Sequence, residues 1–231
     1  MLTWLDIETP FPPLEQAMRA PNGLLAAGAE LSPRRILTAY RSGIFPWFNA
    51  GEPILWWSPD PRMVLIPGEF RVSRSLAKSL RDTAYEARFD SAFEQVMRAC
   101  AAPRNGQRGT WIHEDMIAAY SALHALGYAH SVEVWRDDML VGGLYGIAIG
   151  RMFYGESMFS AVPNGSKIAL AHLTRQLDRW RFGMIDCQMN TPHLASLGAR
   201  EIPRGEFIAK LQELVNCAPI PHWQFDADLL R

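Results

Sequence analysis

The sequence predicts an α+β protein with a mixed β-sheet, built from a small N-terminal domain and a larger second domain. Residues 1–62 are rich in Pro, Gly and Trp, whereas regularly spaced strand-like and helix-like stretches follow from residue 63. In the second part, several antiparallel strands precede a helix and one further strand, which is the order of a mixed sheet. A hydrophobic content of 48% in 231 residues is ample for a packed core. We therefore expect domains at 1–62 and 63–231.

The N-terminal part is expected to be a small irregular domain. Turn-forming residues recur at 11–13, 21–23 and 43–48, so its elements should be short. One helix is predicted from Ser32, a favourable N-cap followed by Pro33 at the first helical position, to about Ser42.

The second part is predicted to alternate between strands and helices because its apolar residues change between the two periodicities. The expected strands are 63–66, 130–136, 139–149, 151–154 and 184–189, and the expected helices are 73–82, 90–101, 114–126, 164–180 and 204–215. Gly127 would end one of these helices, and Asp137 and Asp138 would form a turn between two strands.

Composition excludes several classes of protein. A net charge of -1 excludes a uniformly basic nucleic-acid binder, so any such contact must be a local patch. Three cysteines without a C-x-x-C pair indicate a reducing compartment, and no H-x-x-x-H pattern supports a metal site. We see no secretory signal, and the longest apolar stretch, 139–150, is far below the ~20 residues of a spanning helix. A cytoplasmic protein is expected.

Residues 184–190 form an apolar stretch with polar side chains on one predicted strand face. Alternation would place Asp186, Gln188 and Asn190 together, with Cys187 on the opposite face in the core. Asp186 could be a structural residue satisfied by backbone donors. A second acid in an apolar stretch, Glu156, favours a functional site instead.

Three further groups of residues have both a structural and a functional interpretation. Arg71, Arg74, Lys78 and Arg81 recur at helical spacing with no acid among them, so they form either a solvated face or a phosphate-binding stripe. Tryptophans beside turns are either core or platforms for an unpaired base; these are Trp47, Trp56, Trp57 and Trp111. Apolar residues near the two acids are either core or a pocket for a hydrophobic side chain; these are Met152, Phe153, Met158, Phe159, Leu170, Leu173 and Ile185.

Six segments in order resemble the leucyl/phenylalanyl-tRNA-protein transferase family. They are GIFPWF (43–48), LWWSPDPR (55–62), GTWI (109–112), GESMFS (155–160), IDCQ (185–188) and ASLGA (195–199), within a match from about 21 to 208. The resemblance implies transfer of Leu or Phe, possibly Met, from aminoacyl-tRNA to a protein's N-terminal Arg or Lys, which marks that protein for N-end-rule degradation. It also implies that the second domain is acetyltransferase-like (GNAT-like).

The resemblance also implies roles for individual residues. Trp47 and Trp111 would hold the terminal adenosine, and Arg74, Lys78 and Arg81 would contact the tRNA acceptor stem. The polar centre would be Glu156, Asp186 and Gln188, and the side-chain pocket would comprise Leu144, Phe153, Met158, Leu170, Leu173, Leu177 and Ile185. This chain departs from the familiar pattern at Leu144, Leu173 and Leu177, where Met, Phe and Phe are expected, so the ranking of Leu and Phe stays open.

The implied chemistry needs no cofactor, because an aminoacyl ester is already activated. The enzyme must deliver a neutral amine, stabilise the oxyanion and release the ribose oxygen. Asp186 and Gln188 would orient the amine and relieve it of a proton, with Asp186 acting directly or by polarising Gln188, and Glu156 would position the substrate. The sequence does not separate the base from the orienting group. The expected partners are Leu-tRNA, Phe-tRNA and proteins with N-terminal Arg or Lys, with no membrane, and the enzyme is expected to be a monomer.

Two other classes of function compete with this interpretation. An acyl-CoA-dependent N-acyltransferase would require a pyrophosphate-binding turn before a helix, and residues 163–167 lack that spacing. A non-catalytic tRNA-binding module would not require acids in the apolar centre, which argues against it here.

Overall fold

The computed structural model describes residues 2–102 and 110–229, and its N-terminal part contains a four-stranded sheet. The strands are β1 Thr3–Leu5, β2 Leu24–Gly28, β3 Phe45–Pro46 and β4 Leu55–Trp57, in the order β1-β2-β4-β3. The prediction of short elements is confirmed, because these strands have two to five residues. Their arrangement in a sheet was not predicted, since so few side chains showed no periodic pattern here.

The predicted N-terminal helix is present as α1, Pro33–Arg41. The Ser32 side chain accepts a hydrogen bond from the Arg35 backbone N–H, and Pro33 opens the helix. Both features match the capping signal in the sequence.

A seven-stranded mixed sheet forms the second part, which confirms the predicted fold class. Its order is β11-β5-β10-β9-β8-β7-β6. The strands are β5 Arg62–Leu65, β6 Glu86–Phe89, β7 Ala129–Arg136, β8 Met139–Ile149, β9 Met152–Ser160, β10 Met184–Gln188 and β11 Arg200–Ile202. Neighbours are antiparallel except for β9 and β10, which are parallel.

Six helices accompany this sheet in the described part of the chain. They are α2 Arg74–Leu80, α3 Phe93–Ala101, α4 Glu114–Ala125, α5 Gly165–Arg179, α6 Pro192–Ser196 and α7 Arg204–Leu214. The predicted strand 151–154 proved too short, since β9 continues pairing with β8 as far as Ser160. Short elements were again the ones missed, namely β6, β11 and α6.

Apolar residues pack on both faces of the large sheet. One cluster contains α3, α4 and residues of the N-terminal sheet, while the other lies beneath α5. Adjacent residues of β8 separate accordingly, with Tyr145 in the first cluster and Leu144 in the second. The first cluster includes Tyr40 and Trp56 as well as Tyr154, so the core crosses the proposed boundary at residue 62, which stays a prediction.

The feature that positions the site is a separation of β9 from β10. These strands pair at three positions, the last joining Asp186 to Tyr154. Beyond that point β9 pairs with β8 alone, while β10 has a bulge between Asp186 and Gln188. Two neighbouring strands thus diverge and leave a gap in the sheet.

Within residues 2–102 and 110–229, no helix has the length and apolar character needed to cross a membrane. Gly109, in one of the family-like segments, lies outside these ranges.

Candidate active site

A cavity of about 470 Å³ opens where β9 and β10 diverge. Segments of both parts of the chain line it, including Phe45 and Pro46 of β3 and Trp47, which follows them. It brings together most of the residues singled out in the sequence, namely Trp47, Trp111, Leu144, Phe153, Glu156, Met158, Leu170, Leu173, Ile185 and Gln188.

One end of the cavity is apolar. Leu144, Phe153, Leu170, Leu173 and Ile185 line it and are almost completely buried. They come from three strands and α5, so strand and helix side chains enclose a space for an apolar group.

Leu177 requires a correction, because it does not line this cavity. It lies four residues beyond Leu173 on α5, about 6 Å further along the helix axis, and it is fully buried in the core beneath α5. The resemblance to the family implied a pocket position for Leu177, but the sequence could not show where the cavity ends.

Glu156 is the polar centre of the cavity, and two tyrosines hold its carboxylate. The Tyr40 hydroxyl donates to Oε1 at 2.6 Å, and the Tyr120 hydroxyl donates to Oε2 at 3.1 Å. The two hydroxyl oxygens are themselves 2.6 Å apart. Burial raises the pKa of Glu156 to about 7, although the hydrogen bonds from both tyrosines oppose this rise.

A third tyrosine, Tyr145 on β8, also lines the cavity. Its side chain is fully buried, and its hydroxyl has no hydrogen-bond partner among the described residues. The Tyr120 and Tyr145 rings meet edge to face with centroids 5.8 Å apart, which places Tyr145 beside the Glu156 cluster.

Asp186 lies behind the cavity wall rather than in the lining. Its Oδ1 accepts from Arg62 Nε at 2.8 Å and its Oδ2 accepts from Arg62 Nη2 at 2.7 Å. Both side chains are completely excluded from solvent. The Arg62 guanidinium also donates to the Gly43 carbonyl and lies over the rings of Phe45 and Phe207.

The bulge in β10 overturns the predicted alternation after Asp186. The backbone N–H of Gln188 donates to Asp186 Oδ1 at 2.9 Å, and Gln188 adopts a left-handed φ of 55°. Cys187, Gln188 and Met189 consequently all line the cavity, whereas Asn190 does not. Cys187 was expected in the core; burial, followed by the charge of Asp186, raises the pKa of its thiol, which disfavours a nucleophilic thiolate.

The four tryptophans beside turns divide into two pairs. Trp47 and Trp111 line the cavity, and 38% of the Trp47 surface is exposed. Trp56 and Trp57 are buried, and their indole N–H groups donate to the carbonyls of Gly28 and Trp47. The Trp57 hydrogen bond therefore supports the backbone of a cavity residue.

The basic residues lie on a different surface, around α2. Arg71, Arg74, Lys78 and Arg81 are all exposed, and none forms an ion pair with another described residue. Asn164, which precedes α5, donates from its amide nitrogen to Ser75 and Ser79 of α2, so α2 is anchored to the helix that lines the cavity.

Sequence reasoning missed the residues that hold the two acids. Arg62 stood within one of the family-like segments, so its basic side chain was an available signal. Tyr40 and Tyr120 lie in helices 116 and 36 residues away from Glu156, and no local pattern marks them. His193 also lines the cavity; burial and then the charge of Lys167 lower its pKa, which favours neutral imidazole.

Comparison with known proteins identifies the family. Residues 64–212 match the family model described as leucyl/phenylalanyl-tRNA protein transferase, and residues 29–60 match that of its N-terminal domain. Curated proteins named leucyl/phenylalanyl-tRNA–protein transferase include one from Nitrosospira multiformis, 67% identical over 94% of this chain and 93% of that protein. Another, from Thiobacillus denitrificans, is 66% identical over 94% of this chain and 96% of its own.

Solved structures are much more distant. A GCN5-related N-acetyltransferase from Kribbella flavida is 12% identical, with a TM-score of 0.37 over 73% of this chain and 60% of the other. A likeness at that level carries no argument about function. On the match to its family model and to these relatives, the chain belongs to the leucyl/phenylalanyl-tRNA protein transferase family.

Proposed function

We propose that this protein transfers Leu or Phe from aminoacyl-tRNA to the N-terminal Arg or Lys of a protein, marking it for N-end-rule degradation. The observation that supports this function is one cavity that combines an apolar end, a carboxylate and two tryptophans in its wall. The apolar end suits a Leu or Phe side chain, and Trp47 and Trp111 suit the terminal adenosine. Cytoplasmic location, a monomeric state and an acetyltransferase-like second domain remain predictions.

The acceptor preference follows from charge. Glu156 is the only acidic residue lining the cavity within the described part of the chain. Deprotonated Glu156 attracts a cationic acceptor, and an N-terminal Arg or Lys carries a second positive charge besides its α-ammonium group. An acceptor beginning with Ala lacks that additional attraction.

A peptide-labelling assay tests the function. We expect radiolabelled Leu-tRNA and Phe-tRNA to transfer their label to peptides beginning with Arg or Lys, and much less to an otherwise identical peptide beginning with Ala. The matched control is the Arg peptide with an acetylated N-terminus, which offers the same side chain without a nucleophile. Equal labelling of the acetylated peptide, or transfer from acetyl-CoA and not from aminoacyl-tRNA, would contradict the proposal.

Because Leu173 lines the apolar end of the cavity, we expect it to influence the choice between Leu-tRNA and Phe-tRNA as donor. Leu173→Phe adds a ring to the apolar wall, so we expect preference to shift from Phe towards Leu by roughly 1 kcal/mol, or several-fold in relative kcat/KM. Leu177→Phe is the matched control, because Leu177 is buried outside the lining. It should cost about 1 to 3 kcal/mol of stability through overpacking and leave the donor ratio unchanged. Competition between the two aminoacyl-tRNAs measures the ratio, and a larger shift in L177F than in L173F would refute this assignment.

A further inference from the structure

We infer that Glu156, oriented by Tyr40 and Tyr120, is the proton acceptor for the incoming α-amine, and that Asp186 is a positioning residue. This inference rests on the proposed function and assigns the base within the same site. The sequence left open whether Asp186 acts as the base or as an orienting group, and it gave Glu156 the positioning of the substrate.

Asp186 is already fully engaged. Each carboxylate oxygen accepts a hydrogen bond from Arg62, and Oδ1 also accepts from the Gln188 backbone. No part of its side chain is exposed, and it does not line the cavity. A proton reaching Asp186 would have to break a buried ion pair, which is strongly unfavourable.

The Glu156 carboxylate accepts two hydrogen bonds and has further acceptor positions. Each oxygen accepts one tyrosine hydrogen bond, and an ionised carboxylate has about four acceptor positions, so capacity remains for a substrate ammonium. The residue lines the same cavity as Gln188, so an amine that enters the cavity can reach it. A pKa of about 7 suits a group that must gain and lose a proton near neutral pH.

The tyrosine pair can also accommodate the transferred proton. Three contacts join the Tyr40 hydroxyl, the Tyr120 hydroxyl and the carboxylate, but two hydroxyls supply only two protons. Once Glu156 is protonated it becomes a donor, and all three contacts can hold a proton. The protonated cluster therefore has a proton for each of its three contacts, so it can hold the proton that Glu156 accepts.

Ionisable groups from five surrounding elements face Glu156. It is faced by Tyr40 of α1, Tyr120 of α4, Tyr145 of β8, Asp186 of β10 and Arg62 of β5. Burial raises the pKa of all three tyrosines well above its usual value, so they stay neutral. Arg62 and Asp186 act on Glu156 in opposite directions.

The reaction balances with these groups. The α-ammonium gives one proton to Glu156, and its nitrogen forms a bond to the ester carbonyl carbon, whose π electrons move to the oxygen. As the carbonyl reforms, the bond to the ribose oxygen breaks and that oxygen takes the second proton from nitrogen. The proton on Glu156 passes to solvent, which accounts for the one proton released when an ammonium becomes an amide.

The test is a pH profile of kcat/KM for transfer to one Arg peptide, with wild type, E156Q, Y40F and Y120F. Wild-type activity should fall as pH drops through about 7, because the reactive form of Glu156 is deprotonated. E156Q should lower kcat/KM by about 10² to 10⁴-fold and abolish this acid limb. Either tyrosine variant removes a hydrogen bond that lowers the pKa of Glu156. The acid limb of the variant's kcat/KM profile should therefore move to higher pH.

Several outcomes separate this inference from simpler explanations. A limb that moves in Y40F or Y120F cannot belong to the peptide amine, which is the same in every assay, and H193Q should leave the midpoint in place. If E156Q keeps wild-type activity and its acid limb, or if the tyrosine variants lower activity equally at every pH, the inference is overturned. A wild-type enzyme inactive with both aminoacyl-tRNAs overturns the proposed function instead.

Discussion

Replacing Asp186 with Ala is expected to lower the free energy of unfolding by about 3 to 5 kcal/mol, because it leaves the Arg62 guanidinium buried without its counter-charge. Turnover should also fall by at least ~100-fold. The variant loses the carboxylate that receives the Gln188 backbone N–H, so the cavity segment 187–189 is no longer held. A displacement of about 1 Å in a site can cost ~10²-fold in rate. Urea unfolding and the peptide-labelling assay measure the two effects.

A double variant separates stability from activity in this pair. Arg62→Met with Asp186→Leu removes both charges and should regain part of the lost stability, since apolar residues often substitute for a buried ion pair at little cost. It should not regain activity, because no carboxylate then supports the bulge. Cys187→Ser, one residue away, should be far milder in both measurements. If D186A and the wild type had the same midpoint of urea unfolding, the ion pair would not stabilise the fold.

Replacing Arg74, Lys78 and Arg81 with Ala is expected to weaken tRNA binding by about two orders of magnitude at about 0.1 M salt. Three phosphate contacts contribute roughly two to three units to the slope of log affinity against log salt, and the slope should become shallower by that amount. The three side chains are exposed and have no acidic partner among the described residues, so their charge is available to phosphates. Filter binding of tRNA across a salt series measures the slope.

Two controls distinguish a tRNA surface from a structural helix. Replacing Arg19, Arg34 and Arg175, which are also exposed but lie on other elements, removes the same net charge and should change the slope much less. A minimal aminoacyl-adenosine donor lacks the acceptor stem, so the α2 variant should use it nearly as well as wild type. Equal losses with the minimal donor and with tRNA would mean that α2 supports the fold rather than the ligand.

Much of the secondary structure was predictable because local rules determine it. The capping of α1 by Ser32 and Pro33 and the parallel return from β9 through α5 to β10 follow from residues adjacent in sequence. The elements that were missed have only two to five residues, too few side chains to show a clear period. Extension of β9 to Ser160 depends on its pairing with β8, which is a long-range contact.

The candidate site was identified largely through resemblance, with the composition of each segment in support. Segments around Trp47, Trp111, Glu156 and Gln188 indicated polar and aromatic groups in apolar surroundings, and these residues do meet in one cavity. The wall could be only partly predicted: Leu173 and Leu177 share a helix face, yet only Leu173 lines the cavity. Helical periodicity specifies direction around the axis but not the depth at which a cavity closes.

The sequence by itself therefore determined the fold class, the family, and which segments carry polar groups in apolar surroundings. Only the tertiary structure decided how those polar groups are held. Strand alternation cannot anticipate the bulge after Asp186. Nor can it anticipate that Arg62, 124 positions away in sequence, binds Asp186, which does not line the cavity. In the same way Tyr40 and Tyr120 reach Glu156 from two helices, and its carboxylate acquires its raised pKa and its hydrogen bonds from neighbours that the fold brings together.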